Sequence, residues 1–116
     1  MDPSKSIVTA LRFNEKINQQ DPDGLAELMT DDHTFIDNDG RVTGGKDSMR
    51  EGWRNFFERY PDYRTTITSV TIQNGIVAIV GHSACSDKQL EGPNIWTAKT
   101  RGGLISKWRV YWLDKR

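Results

Sequence analysis

Tyr63–Ser86 reads YRTTITSVTIQNGIVAIVGHSACS, and this stretch decides the fold class. Apolar and polar residues alternate toward Gln73, and a second β-branched run follows the pair Asn74-Gly75. Alternation at period two marks half-buried strands. Asn-Gly is a strong two-residue hairpin signal because both residues tolerate positive φ. The two runs therefore predict an antiparallel hairpin. Further along, the polar Asp87-Lys88 stretch and the pair Gly102-Gly103 separate two more β-rich segments. Four long antiparallel strands are expected over residues 63–73, 76–86, 90–100 and 104–113.

Upstream of this meander the period becomes helical. Ile7, Ala10, Leu11, Asn14 and Ile17, widened by Val8 and Phe13, form one stripe behind an Asp2-Pro3 start. Proline suits the first helical position, where its missing N–H would be unpaired anyway. Asp21-Pro22 repeats the signal before a short second helix, with Leu25, Leu28 and Met29 on its buried side. A brief strand from His33 to Asp37 turns at Asn38-Asp39-Gly40 and returns over Arg41 to Thr43. After Gly44-Gly45 a third helix runs through Met49, Trp53, Phe56, Phe57 and Tyr60, and Pro61 stops it. Helices on one side of a curved antiparallel sheet make an α+β class.

The 116 residues allow one domain, spanning 1–116. Charge balances at 16 basic against 16 acidic residues, with a pI near 6.7. Nucleic-acid binders need a basic stripe to neutralise phosphates. The cluster Lys107, Arg109, Lys115 and Arg116 reads instead as solvated surface, so no nucleic-acid partner is expected. No apolar run approaches the roughly 18 to 20 residues of a membrane span, and the first residues do not resemble a signal core. A cytoplasmic protein with no membrane partner is expected. The single cysteine, Cys85, excludes an intrachain disulfide and a cysteine-based zinc site, and reads as packing or interface, with a reactive thiol the second reading.

The element order, with the residues at its joints, resembles the nuclear transport factor 2-like superfamily, and within it the SnoaL-like polyketide cyclases and ketosteroid isomerases. The residues carrying it are Asp21-Pro22-Asp23-Gly24-Leu25, Leu28-Met29-Thr30-Asp31-Asp32, Phe35-Ile36-Asp37, Gly44-Gly45, Tyr60-Pro61-Asp62-Tyr63 and Gly103-Leu104-Ile105. The resemblance implies a cone-shaped roll, a curved, mostly antiparallel sheet wrapped around three helices and enclosing a pocket. It implies a small hydrophobic ligand, no cofactor, no metal and a homodimer through the outer sheet face. It also places Asp37 where the isomerases carry their general base, an aspartate that works beside a tyrosine and a protonated aspartate. Here Phe13 stands at the tyrosine position and Asn94 or Ile95 at the second aspartate, which argues against a steroid isomerase.

Strand parity assigns the lining. Ile76, Ala78, Val80, His82 and Ala84 share one face; so do Asn94, Trp96 and Ala98, and then Trp108, Val110 and Trp112. The resemblance turns these faces inward, where Phe13, Trp53 and Phe57 join them in an aromatic wall suited to a flat ligand. Two catalytic candidates follow. Asp37 reads as a general base whose pKa burial would raise, or as a strand-end aspartate accepting turn amides. His82 reads as its acid–base partner, or as a hydrogen-bonded core histidine. The tryptophans Trp53, Trp96, Trp108 and Trp112 are a stacking platform, core, or both. His33 beside Asp31 and Asp32 reads as solvent-facing. Three functions remain: an isomerase-, cyclase- or hydratase-type enzyme acting on a small carbonyl compound; a binding protein; and a dimeric assembly module joined through Val77, Ile79 and Cys85, placed here on the outer face.

Overall fold

The structure, a computed structural model, describes residues 3–112. The Asp2 helix start, the strand end at Leu113, and Lys115 and Arg116 lie outside the described residues. The chain runs α1 (Pro3–Asn18), α2 (Pro22–Glu27), β1 (Met29–Ile36), β2 (Val42–Gly44), α3 (Lys46–Arg59), β3 (Arg64–Gln73), β4 (Ile76–Ala84), a 3-10 turn (Lys88–Leu90), β5 (Gly92–Arg101) and β6 (Leu104–Trp112). The strands form one sheet in the order β2-β1-β6-β5-β4-β3, antiparallel except where β1 lies parallel to β6. The expected α+β class and element order hold.

Local chemistry accounts for most element ends. Asp21 accepts the Gly24 amide at 2.9 Å and Pro22 opens α2, a side-chain cap at a proline start. Asn74 and Gly75 take φ of 54° and 77°, and Gly102 and Gly103 take 61° and 81°. Positive φ at both central residues matches the right-handed twist of the strands they join. The middle connection differs: Asp87 accepts the Gln89 amide at 2.9 Å and a 3-10 turn fills the gap. One boundary moves. Leu28 and Met29, expected on the second helix, leave it, and Met29 begins β1 by pairing with Ile105.

The buried side of α1 is Ser6, Thr9, Ala10, Phe13, Asn14 and Ile17, while Val8 and Leu11 are exposed. Asn14 and Asn18 explain the rotation. Asn18 accepts the Thr65 amide at 2.8 Å and donates to the Thr65 carbonyl at 2.9 Å, and the Thr65 hydroxyl donates to Asn14 at 2.6 Å. β3 is a sheet edge, and these bonds occupy backbone groups that would otherwise be left open there.

Register inverts the expected parity of β4. Val77 pairs with Ala98, Ile79 with Trp96 and Gly81 with Asn94, so the odd positions share the inner face. Val77 and Ile79 are fully buried, whereas His82 and Ala84 are exposed. The run Ile76-Val77-Ala78-Ile79-Val80 is apolar on both faces, so alternation alone gives β4 no polarity; its partner does. Cys85, expected on the outer face, is buried, and its thiol lies 3.4 Å from Asp62. Gly81 is required by this packing: a Cβ there would fall 2.2 Å from the Thr66 carbonyl oxygen and 3.0 Å from the Trp96 ring.

The buried histidine is His33. Pairing of β1 with β6 shifts between Met29 and Thr34, and within that irregularity His33 is fully buried. Its ring centroid stands 6.0 Å from that of Phe13. Nδ1 lies 2.9 Å from the Ile105 carbonyl. A carbonyl only accepts, so Nδ1 carries the proton, and Nε2 is buried without a partner among the described residues. Burial holds the pKa of His33 below its ordinary 6.5, against the opposing pull of the Ile105 carbonyl and Asp32.

Two predictions follow from this packing. Gly81→Ala should cost about 1–3 kcal/mol through overpacking, read as a lower urea midpoint; an unchanged midpoint would mean that Thr66 and Trp96 yield freely. For His33 the unfolded chain binds the proton more readily than the folded one, so its contribution is full above pH 6.5 and declines as pH falls below that. Urea midpoints of wild type and His33→Leu, compared across that range, should show a steeper acid-side loss in wild type. Parallel profiles would refute the assignment.

Candidate functional site

A cavity of about 390 Å³ opens between the helices and the inner face of the sheet. From the helices, Ile17, Met49, Gly52, Trp53 and Phe56 line it. From the sheet come Phe35, Trp96, Val110 and Trp112, with Tyr63 and Leu90 on the flanking loops. Asp37, Asn38, Asp39 and Thr43 supply the polar side. The wall is thus aromatic and aliphatic, with two carboxylates and no lysine, arginine or histidine.

Trp53 organises the helical wall. It stacks on Phe57 with centroids 5.5 Å apart, and meets Phe35 and Phe56 edge-on at 5.9 and 5.7 Å. Beneath the cavity Phe13 packs on Trp108 at 4.5 Å. Both of these residues are fully buried and form the floor without lining the space.

Asp37 follows the last residue of β1 and is half-buried. Its Oδ1 accepts the amides of Asp39 and Arg41 at 2.9 and 3.0 Å. Its own amide donates to the Arg41 carbonyl, and its carbonyl accepts from Gly40, each at 3.0 Å. The turn therefore fixes the carboxylate at the cavity, while Oδ2 makes no hydrogen bond among the described residues. Asn38 accepts the Trp112 amide at 2.7 Å and ties this turn to the end of β6. The turn reading of Asp37 thus accounts for Oδ1.

The structure brings together Asp37, Trp53, Trp96 and Trp112 of the expected site. Five others stand outside the lining. Phe13 and Trp108 are floor, Phe57 backs Trp53, and Asn94 is buried with its amide donating to the Ser83 hydroxyl. His82 is corrected outright: it is exposed, pairs with Thr66 and Pro93, and cannot meet Asp37, because it shares the outer parity of β4. Cys85 is outside the cavity as well, and burial pushes its thiol pKa up, which suits packing over reactivity.

Met49 and Phe56 could have been found from sequence, since 49, 53 and 56 follow the i, i+4, i+7 rule along one helix face. Phe35, two residues before Asp37, shares its strand face by parity. Leu90 and Tyr63 carry no such signal, because loops have no period. Among the described residues no group of three His, Cys, Asp or Glu side chains could hold a metal ion. No helix among them is long and apolar enough to cross a membrane.

The SnoaL-like domain family profile matches residues 10–108. No curated protein matches the chain. Among solved structures, a SnoaL-like protein of unknown function from Burkholderia thailandensis superposes with a TM-score of 0.82 at 13% identity, covering 98% of this chain and 99% of that one. A candidate polyketide cyclase from Sinorhizobium meliloti gives 0.81 at 11% identity, covering 95% and 99%. A candidate ketosteroid isomerase from Kribbella flavida gives 0.78 at 16%, covering 97% and 81%. At these identities the likeness is one of fold. The profile match is of another kind, for it runs from Ala10 in α1 to Trp108 in β6, across the floor and most of the walls just described, and by it this chain belongs to the SnoaL-like domain family.

Proposed function

We propose that this protein binds a small, flat, hydrophobic carbonyl compound in the aromatic cavity and that Asp37 acts on it as a carboxylate base. The observation that carries this reading is the division of labour within one side chain. Oδ1 is held by two turn amides, while Oδ2 stands at an apolar space without a partner among the described residues. A base so held is preoriented, which removes part of the entropic barrier to proton transfer. The Asp37 carboxylate would take a proton from the carbon next to the carbonyl, leaving an enolate with its charge on oxygen. Return of that proton to a different carbon gives an isomer; attack of the enolate carbon on a second carbonyl of the same molecule closes a ring, the C=O π bond opening to an alkoxide that takes the proton back from Asp37. Neither outcome transfers electrons to an acceptor, so no redox cofactor is called for.

A binding-only reading has its own support. The other groups that could help are elsewhere: Phe13, at the tyrosine position, has no group to donate, Asn94 does not line the cavity, and His82 is on the far side of the sheet. An enolate in this cavity would have fewer donors than in the isomerases. A third part of the proposal concerns assembly. Ile76, Ala78 and Val80 of β4 and Ile95 of β5 are half-buried on the outer face, and Val80 pairs directly with Ile95. An apolar strip of this kind suits a second copy of the chain.

The discriminating experiment uses 2-tetralone, a flat ketone with exchangeable α-protons, in deuterated buffer. The wild type should bind it, quenching tryptophan fluorescence through Trp53 and Trp96, and should accelerate α-deuteration. Asp37→Asn keeps an oxygen for the two turn amides, so it should bind equally well and lose about 10²–10⁴-fold in exchange rate. Binding with no acceleration in wild type would leave the binding protein; absence of both would overturn the pocket reading. Separately, Val80→Glu should shift a dimer to monomer in sedimentation velocity with the far-ultraviolet spectrum unchanged. A wild-type monomer would refute the assembly claim.

A further inference from the structure

A second concavity, about 200 Å³, lies on the outer face of the sheet, on the opposite side from the aromatic cavity. Ile36 of β1, Ile76 of β4, Thr97 and Lys99 of β5, and Lys107, Arg109 and Tyr111 of β6 line it. Three of these side chains are cationic and none is acidic. Register brings the cations together: Lys99 stands directly opposite Lys107, and Arg109 directly opposite Thr97. Like charges facing each other across a strand pair are destabilising. None of the three forms an ion pair with any carboxylate among the described residues, although the chain has 16 acidic residues to match its 16 basic ones. The clustering is therefore local, not a consequence of net charge.

Arg109 is held in place. Its guanidinium lies 4.7 Å from the Tyr111 ring centroid, and its Nε is buried with no acceptor among the described residues. Stacking on a ring restricts the planar group, so less freedom is lost when an anion engages it. Ile36 and Ile76 give the same concavity an apolar wall.

We infer that this outer-face cleft is a binding site for a phosphate monoester, with Lys99, Lys107 and Arg109 on the phosphate and Ile36 and Ile76 against its organic stem. Three separate cations call for an anion with several oxygens. A phosphate dianion offers one to each, whereas a monocarboxylate is used up by a single bidentate arginine. The apolar wall favours an ester over the free ion. The site is independent of the proposed reaction in the central cavity. It adjoins the assembly strip and shares Ile76 with it; the cations lie at the Lys99 end, where Lys99 pairs with Ile76, whereas Val80 and Ile95 pair further along the strands.

The test is an amide chemical-shift titration of the full chain at about 10 mM ionic strength, where screening is weak. Three probes are used: phenyl phosphate, inorganic phosphate and phenol. Phenyl phosphate should give saturable shifts at Thr97, Lys99, Lys107 and Arg109, inorganic phosphate weaker ones, and phenol none at these residues. Lys107→Gln combined with Arg109→Gln should weaken phenyl phosphate at least about tenfold, as expected for removing charge-assisted bonds, with α3 shifts unchanged. If that double variant does not fold, Lys99→Gln alone should weaken binding measurably. Unsaturable shifts, shifts centred on Asp37–Thr43, or affinity unchanged by Lys99→Gln would overturn the site. Inorganic phosphate binding as tightly as the ester would overturn the assignment to an ester.

Discussion

The contact of Phe13 with Trp108, 4.5 Å between centroids and buried from solvent on both sides, is the floor on which the central cavity rests. A domain of this size ordinarily closes its core, because each unfilled space forfeits dispersion contacts. Here the space stays open because its neighbours are rings with few rotatable bonds. Trp53 is stacked on Phe57 and braced edge-on by Phe35 and Phe56, so it cannot swing inward without displacing three other aromatics. Trp96 is admitted on the opposite wall by Gly81, where even a methyl group would collide with Thr66. Floor and walls thus hold each other apart.

At the open side of this frame a turn does what rings do below. The Asp37 carboxylate accepts two amides from its own loop, and Asn38 pins the loop to β6 through Trp112. Local satisfaction of backbone donors and placement of the carboxylate at the cavity are then the same event. This makes the group rigid at small cost, since no distant partner has to be recruited. The outcome is that the Asp37 carboxylate, one of two at the cavity, is held by its own turn against a largely apolar wall.

The sheet separates two chemistries by one residue of parity. Its inner face carries Trp96 and Trp108; its outer face carries Lys99, Lys107 and Arg109. A chain with no net charge can therefore present a strongly one-signed patch, because alternation sorts side chains that composition counts together. The same alternation puts His82 in solvent and leaves the interior to His33, which β1 buries through its irregular pairing with β6.

Sequence alone determined what depends on neighbours along the chain. The Asn74-Gly75 and Gly102-Gly103 turns, the Asp21-Pro22 start and the stripe through Met49, Trp53 and Phe56 are local signals, and each survives in the structure. The place of Asp37 at the end of a strand was legible for the same reason, as was the face that Trp108, Val110 and Trp112 share, while only the resemblance turned that face inward. Tertiary structure alone decided the rest. Which face of β4 is buried follows from its register with Ala98, Trp96 and Asn94, since Ile76 to Val80 is apolar on both sides. Whether an aromatic residue lines the cavity or supports it depends on contacts across the core: Phe13 and Trp108 look no different in sequence from Trp53 and Trp96. The meeting of Lys99 with Lys107 and of His33 with Ile105 depends on pairings between segments far apart in the chain, and only the folded register supplies those.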